Sequence, residues 1–228
     1  GRPFVFRPQG RNEELIMLYC PPAVRIEERD DILTHIERSG LAMLVANGAD
    51  GPLVSHVPML LDRSRGENGV LAGHLAKANG QWQNGHDDTP ALAVFPGPDA
   101  YITPSWYPSK QDHGRVVPTW NYTVVHARGP VRFIEDADWL RRNVSQLTER
   151  QERARTEPWA VSDAPDRFID MQLRAIVGFE LEIVTLEGKA KVSQNREAAD
   201  RAGVVAGLDG EARGAAMRDL VKAAMEEG

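Results

Sequence analysis

Polar and basic residues gather in four short segments of the chain: "SHVP" (55–58), "GHLAKANGQW" (73–82), "PTWNY" (118–122) and "KAKVSQNR" (189–196). Lys77, beside the free N–H groups of a predicted helix start, could bind a phosphate. The amides of Asn121 and Gln194 could hydrogen-bond the carbonyl and imide edge of a ring system. The face of Trp120 could stack on the same ring. Together these groups predict a site for flavin mononucleotide (FMN).

Each segment also has a purely structural interpretation. His56 and His74 could be hydrogen-bonded residues of a sheet, and Asn79 could be the N-cap of a short helix. Trp120 could be a core aromatic, and "KVSQNR" could be a polar turn before the last helices. The residues by themselves leave both interpretations open.

The common catalytic signatures are missing from the sequence. It has no GxSxG, HExxH or GxxxxGK[ST] motif and no GxGxxG after a predicted strand. The six histidines are scattered, and Cys20 is the only cysteine. Disulfide frameworks and cysteine-rich zinc sites are therefore excluded, and a reducing cytoplasm is predicted.

The charge balance limits the classes of partner. The formal net charge is -6, from 33 acidic and 27 basic residues. The last segment, 196–228, has five basic residues and seven acidic ones. A protein that wraps nucleic acid usually presents a basic face, so DNA binding is possible but not supported by charge. No apolar run reaches the roughly 18 residues of a membrane helix, and no signal peptide is predicted.

The predicted elements are strands first and helices later. A helix at 28–40 precedes a series of short strands at hairpin spacing up to about residue 134. Helices follow at 136–155, at 163–175 and near the C-terminus. Between them, "IVGFELEIVTLEG" (176–188) predicts one strand with Phe179, Leu181 and Ile183 buried and Glu180 and Glu182 exposed. This pattern favours a small barrel or sandwich in one domain.

The sequence resembles a known family. "SHVPMLL", "LAGHLAKANGQW", "VFPGPDAYITPSWY", "VPTWNYTVVHARG" and "IVGFELEIVTLEGKAKVSQNR" are similar, in this order, to the signature segments of PaiB-type proteins. That family is named as FMN-binding negative transcriptional regulators. The resemblance implies an α+β, mainly β fold: an antiparallel six-stranded split barrel with flanking and C-terminal helices. Pyridoxamine-phosphate oxidases and flavin reductases share this fold, and they are homodimers with the flavin between the subunits.

The resemblance also implies roles for particular residues. The segments on the second and third strands would hold the flavin ring edge and the phosphate, with Lys77 as the phosphate cation. Lys191 and Arg196 would face the cofactor or substrate. The predicted cofactor-binding residues are Ser55, His56, Val57, Pro58, Gly73, His74, Leu75, Lys77, Asn79, Gln81, Trp120, Asn121, Lys191, Gln194 and Arg196.

Three functions remain open from the sequence. The first is a flavin-binding repressor of transcription, the second a flavin-dependent oxidoreductase, and the third a dimeric split barrel without a cofactor. A homodimer is expected, because the aromatic-rich strands at 100–125 carry more apolar surface than one small barrel needs. The resemblance starts near Met17, so residues 1–16 are predicted to be an N-terminal extension and 17–228 a single domain.

Overall fold

The computed structural model describes residues 18–84 and 89–226, which form eight β-strands and seven α-helices. The predicted extension, residues 1–16, lies outside this part of the chain. The strands are β1 (Ala42–Gly48), β2 (Gly51–Val57), β3 (Leu60–Asp62), β4 (Val70–Ala76), β5 (Thr89–Ile102), β6 (Thr119–Ile134), β7 (Ile176–Glu182) and β8 (Thr185–Lys191). The helices are α1 (Arg29–Arg38), α2 (Gly80–Asn84), α3 (Ser109–His113), α4 (Ala137–Glu152), α5 (Asp166–Leu173), α6 (Ala198–Leu208) and α7 (Gly214–Glu226).

All strand pairs are antiparallel, in the order β2-β1-β5-β6-β7-β4-β3. One edge of β6 is shared, because its first half pairs with β8 and its last residues pair with β7. Strands β2 and β4 meet at the other side, where Asn79 Nδ2 donates to Ser55 Oγ over 2.8 Å. A hydrogen bond between side chains therefore links β2 to the segment after β4 on this side of the barrel. The predicted α+β fold is confirmed, and β3 and β8 bring the sheet to eight strands.

The barrel core is filled by alternate residues of its strands. Val125 and Ala127 of β6 point inward, together with Leu44 of β1, Phe95 of β5 and Phe179 of β7. Helix α1 closes this core with the residues that its predicted amphipathic face contains, Ile32, Leu33 and Ile36.

Two smaller clusters attach the other helices. Helices α6 and α7 pack against the end of β5 and the start of the segment after β8 through Ile102, Tyr107, Val192, Val204, Leu208, Met217 and Val221. Helices α4 and α5 share a third cluster, which contains Leu140, Ile169 and Leu173. In the described part of the chain, no helix has the length and hydropathy needed to cross a membrane.

The segment 176–188 differs from its prediction in two ways. It breaks into β7 and β8 at a corner that passes directly over Gly129, where an added Cβ would lie 1.6 Å from the Glu182 carbonyl oxygen. Only glycine permits this approach of two backbones. Glu180, predicted to be exposed, is buried, because Arg65 and Arg132 neutralise its carboxylate.

Candidate functional site

A first cluster lies where β2 and β4 end and α2 begins, and we call it the Ser55–Asn79 cluster: Ser55, Lys77, Asn79 and Gln81. Besides its bond to Ser55, Asn79 accepts from the Gln81 N–H over 2.8 Å, which makes it the N-cap of α2. Gln81 donates to the Leu44 carbonyl over 3.0 Å, whereas its Oε1 is buried and has no hydrogen-bond partner in the described residues.

Lys77 follows β4 and is held by its backbone. Its N–H donates to the Ala175 carbonyl over 2.8 Å, and its own carbonyl accepts from Trp82 Nε1 over 2.8 Å. The ammonium group pairs with the Glu135 carboxylate over 2.9 Å, and the two side chains are 38% and 60% exposed. An exposed pair of this kind contributes little, at most about 1 kcal/mol, so an incoming phosphate can compete with Glu135 for the cation.

The other predicted residues of β2 and β4 divide between the two faces of the sheet. Val57 and Leu75 lie in the barrel core, and Ser55 is buried beside them. His56 is exposed on the outer side, and His74 Nδ1 lies 3.3 Å from Asn143 Oδ1.

Gly73 and Pro58 make a close contact under the ring of Phe179. A Cβ on Gly73 would lie 2.7 Å from Phe179 Cζ and 3.0 Å from the Pro58 carbonyl oxygen. These two predicted site residues therefore shape the barrel wall.

A second cluster surrounds the turn after β8, and we call it the Asn121–Ser193 cluster: Asn121, Ser193 and Gln194. Asn121 is fully buried, its Nδ2 donates to Ser193 Oγ over 2.9 Å, and Ser193 has a positive φ of 64°. Gln194 donates to the Ala190 carbonyl over 2.6 Å and accepts from the Val192 N–H over 2.8 Å. Both amides thus hold a strained turn in place.

Two predicted basic residues flank this turn. Lys191 Nζ donates to Thr119 Oγ1. The guanidinium of Arg196 stacks on the Tyr107 ring, 4.7 Å from its centroid.

Trp120 is 54% exposed, so it is not a core aromatic. Its ring meets Tyr101 edge to face at a centroid distance of 5.9 Å, and Tyr101 is itself 48% exposed. The two rings form a half-exposed aromatic wall on the β5–β6 hairpin.

The two clusters lie at opposite ends of β6. Tyr122, near the start of β6, is the register partner of Lys191, whereas Glu135, which pairs with Lys77, follows its last residue. A dozen residues of straight strand span on the order of 40 Å. Lys77 and Trp120 therefore lie near opposite ends of β6 rather than in one cluster.

The outer side of β2, β1, β5 and β6 carries a group of apolar residues, next to His56, His126 and Arg128. We call it the outer sheet face: Met43, Val45, Val54, Leu92, Val94 and Val124, which are cross-strand neighbours on the side away from the core. All six are at least partly exposed, and Val54 is 51% exposed. Apolar residues grouped in this way on an exposed side of a sheet are typical of an interaction surface.

The chemistry of the donor set fits FMN. Lys77 supplies a cation for the phosphate, the Ser55–Asn79 cluster supplies a hydroxyl, an amide and an unpartnered buried Gln81 oxygen, and Trp120 supplies an exposed ring face. Within residues 18–84 and 89–226, no three His, Cys, Asp or Glu side chains are grouped in a way that could hold a metal ion.

Solved structures show the type of fold. A conserved hypothetical protein Rv2991 from Mycobacterium tuberculosis superposes with a TM-score of 0.55, at 13% identity over 79% of this chain and 94% of that one. An FAD and heme binding protein from Mycobacterium smegmatis has a TM-score of 0.53, at 16% identity over 73% of each chain. The chain has the split-barrel fold of the flavin reductase and pyridoxamine-phosphate oxidase type.

The family follows from the sequence match. Residues 18–185 match the model described as "Putative FMN-binding domain", and the chain belongs to this family. The Bacillus subtilis "Protease synthase and sporulation protein PAI 2" is 28% identical over 85% of this chain and 90% of its own length. An uncharacterized protein of Emericella nidulans is 32% identical over 82% of this chain and 89% of its own length. The predicted family and the predicted cofactor, FMN, are both confirmed.

The sequence interpretation missed the outer sheet face and the strained Ser193. The outer sheet face had a usable signal: "AMLVA" in β1 and "ALAVF" in β5 are apolar at every position, which indicates strands covered on both sides. Ser193 had none, because its hydrogen-bond partner Asn121 lies 72 positions away in the chain.

Proposed function

We propose that this protein binds FMN as a homodimer, with each flavin between the Ser55–Asn79 cluster of one protomer and the aromatic wall of the other. The outer sheet face carries this proposal. Its apolar residues lie beside His56 of β2 and lead along β6 to Trp120. A two-fold interface over this face would bring the Lys77 end of β6 in one copy close to the Trp120 end of β6 in the other.

Each group then has a distinct task. Lys77 would bind the phosphate in exchange for Glu135, and Ser55 and Asn79 would hydrogen-bond the polar part of the ligand. Trp120 of the second copy would cover one face of the ring and exclude water from it. When bound, FMN supplies redox chemistry at its ring. Asn121 would act through Ser193, by fixing the turn that carries Lys191 and Arg196.

Beyond FMN binding, we propose that the protein negatively regulates transcription in the cytoplasm, through a protein partner. The name of the Bacillus subtilis relative, which refers to protease synthesis and sporulation, supports a regulatory role. Direct DNA contact has little support, because segment 196–228 has more acidic than basic residues, and α6 and α7 bury their apolar faces against the barrel. Recognition helices that enter DNA are usually basic.

The experiment is an FMN titration of the purified protein, followed by flavin fluorescence, combined with sedimentation at micromolar concentration. We expect one FMN per chain and a dimer. A monomer that binds FMN would refute the shared site, and a dimer that binds no FMN would refute the flavin function. A tight, sequence-specific gel shift at physiological salt would show that the protein reads DNA directly.

A further inference from the structure

A cleft of about 1120 Å³ lies between the barrel and the C-terminal helices. Helix α1 forms one side of it and helix α7 the other, with the Pro96–Asp99 bulge of β5 and the end of β8 as its floor. Of the predicted cofactor residues, only Gln194 lines this cleft, and its amide is already bonded within the turn after β8. The cleft is therefore separate from the proposed flavin site.

The floor of the cleft is built around Gly97. A Cβ at this position would lie 2.1 Å from Thr123 Oγ1 and 2.6 Å from His35 Cε1, so only glycine fits. The register of β5 and β6 shifts here, which opens the ladder. Bulges of this kind are common beside binding sites because they redirect side chains.

Two polar groups at the floor have hydrogen-bonding capacity to spare. Thr123 is 5% exposed, and its Oγ1 has no hydrogen-bond partner in the described residues. His35 Nε2 lies 3.0 Å from the Phe95 carbonyl oxygen, so Nε2 carries the proton and Nδ1 is an acceptor. Burial lowers the pKa of His35, which keeps the imidazole neutral. The floor thus offers one donor and one acceptor, both uncharged.

On the α7 side the lining is mostly apolar, with Asp219 as the charged residue of that helix. Small and aliphatic residues line the cleft on this side and along its floor: Pro98, Ala190, Val192, Ala216, Leu220, Ala223 and Ala224. Charged residues of both signs, including Arg25, Glu28, Arg38 and Asp219, line the cleft as well. The apolar wall suits a hydrocarbon or aromatic body.

We propose that this cleft binds a small neutral molecule with an apolar body and a hydroxyl head. The hydroxyl accepts from Thr123 Oγ1 and donates to His35 Nδ1, and the body lies against α7. At the floor of the cleft, a charged head would lose its hydration beside these two uncharged groups, so the floor selects against it.

The test uses the FMN-saturated full-length protein, labelled with nitrogen-15, and three probes of similar size: phenol, anisole and benzoate. We expect phenol to cause saturable chemical-shift changes at His35, Gly97 and Ala223. Anisole, which cannot donate, should bind about fivefold more weakly, because one hydrogen bond is lost. Benzoate, which is charged, should bind at least about tenfold more weakly.

Two exposed alanines of α7 give a matched pair of variants. Ala223→Leu places a larger side chain in the cleft and should weaken phenol binding at least about tenfold, since it fills the space of the ligand. Ala215→Leu lies on the same helix but does not line the cleft, and it should leave binding unchanged. Equal binding of phenol by both variants, equal binding of phenol and benzoate, or displacement of FMN by phenol would each overturn the proposal.

Discussion

Glu180 gives a prediction whose size follows from the structure. Its carboxylate accepts from Arg65 over 2.7 and 2.9 Å, from Arg132 over 2.9 Å and from Trp139 Nε1 over 3.3 Å. These contacts, with Arg65 foremost, lower the pKa of Glu180 from 4.5 to about 2. Because the side chain is buried, removing its charge breaks a hydrogen-bonded network and leaves two arginines unpaired.

The lowered pKa of Glu180 determines how the free energy of unfolding changes with pH. The folded-state pKa lies below the unfolded value, so the contribution of Glu180 is complete above pH 4.5 and is lost as the pH falls towards 2. The pKa difference corresponds to at most about 3 kcal/mol of unfolding free energy. Both arginines are about half exposed, so water can hydrate them again when the charge of Glu180 is removed. The expected net loss of unfolding free energy is therefore about 2 kcal/mol.

The change is Glu180→Gln, which keeps the shape and removes the charge. Urea unfolding at pH 7 should show the loss of about 2 kcal/mol, and the difference from wild type should shrink steadily between pH 4.5 and 2.5. Glu182→Gln, on the same strand but exposed, is the matched control and should change stability by less than about 0.5 kcal/mol. A Glu180→Gln deficit that stays constant over this pH range would refute the electrostatic reasoning.

Three further predictions concern the proposed site and interface. Lys77→Ala should weaken FMN binding about ten- to a hundredfold in a fluorescence titration, from the loss of one charge-assisted contact, while the weak binding of riboflavin stays unchanged. Val54→Glu should turn the dimer into a monomer in sedimentation, whereas Met171→Glu, an equally exposed position on α5, should not. Asn121→Ala should lower the urea-unfolding free energy by about 1–3 kcal/mol, because Ser193 keeps its positive φ without its partner; an unchanged midpoint would contradict the role of this pair.

Local patterns were sufficient to predict much of the fold. The apolar residues of α1 recur at helical spacing, and the strands of the first half alternate or are bounded by turn residues, so these elements are visible without tertiary information. The burial of Glu180 was not visible, because its partner Arg65 is 115 positions away. The break between β7 and β8 depends on the close passage over Gly129, which only the folded chain reveals.

The candidate site was predicted less completely, for a related reason. Asn79 and Lys77 belong to one short segment, so their placement together at the end of β4 follows from the sequence. The amides of Asn121 and Gln194 are engaged within the fold, which depends on the backbone of the turn after β8. The separation of Lys77 from Trp120 is a property of the path of β6, and the outer sheet face offers the means to bridge it.

The most direct test of the shared flavin site is subunit mixing. Lys77→Ala and Trp120→Ala are each titrated with FMN alone, and then after the two variants have been co-expressed. If each site takes Lys77 from one copy and Trp120 from the other, a mixed dimer has one intact site and one doubly altered site. Random pairing then restores wild-type affinity to about a quarter of all sites. A mixture that binds FMN no better than the separate variants, although mixed dimers have formed, would contradict a site built from two copies.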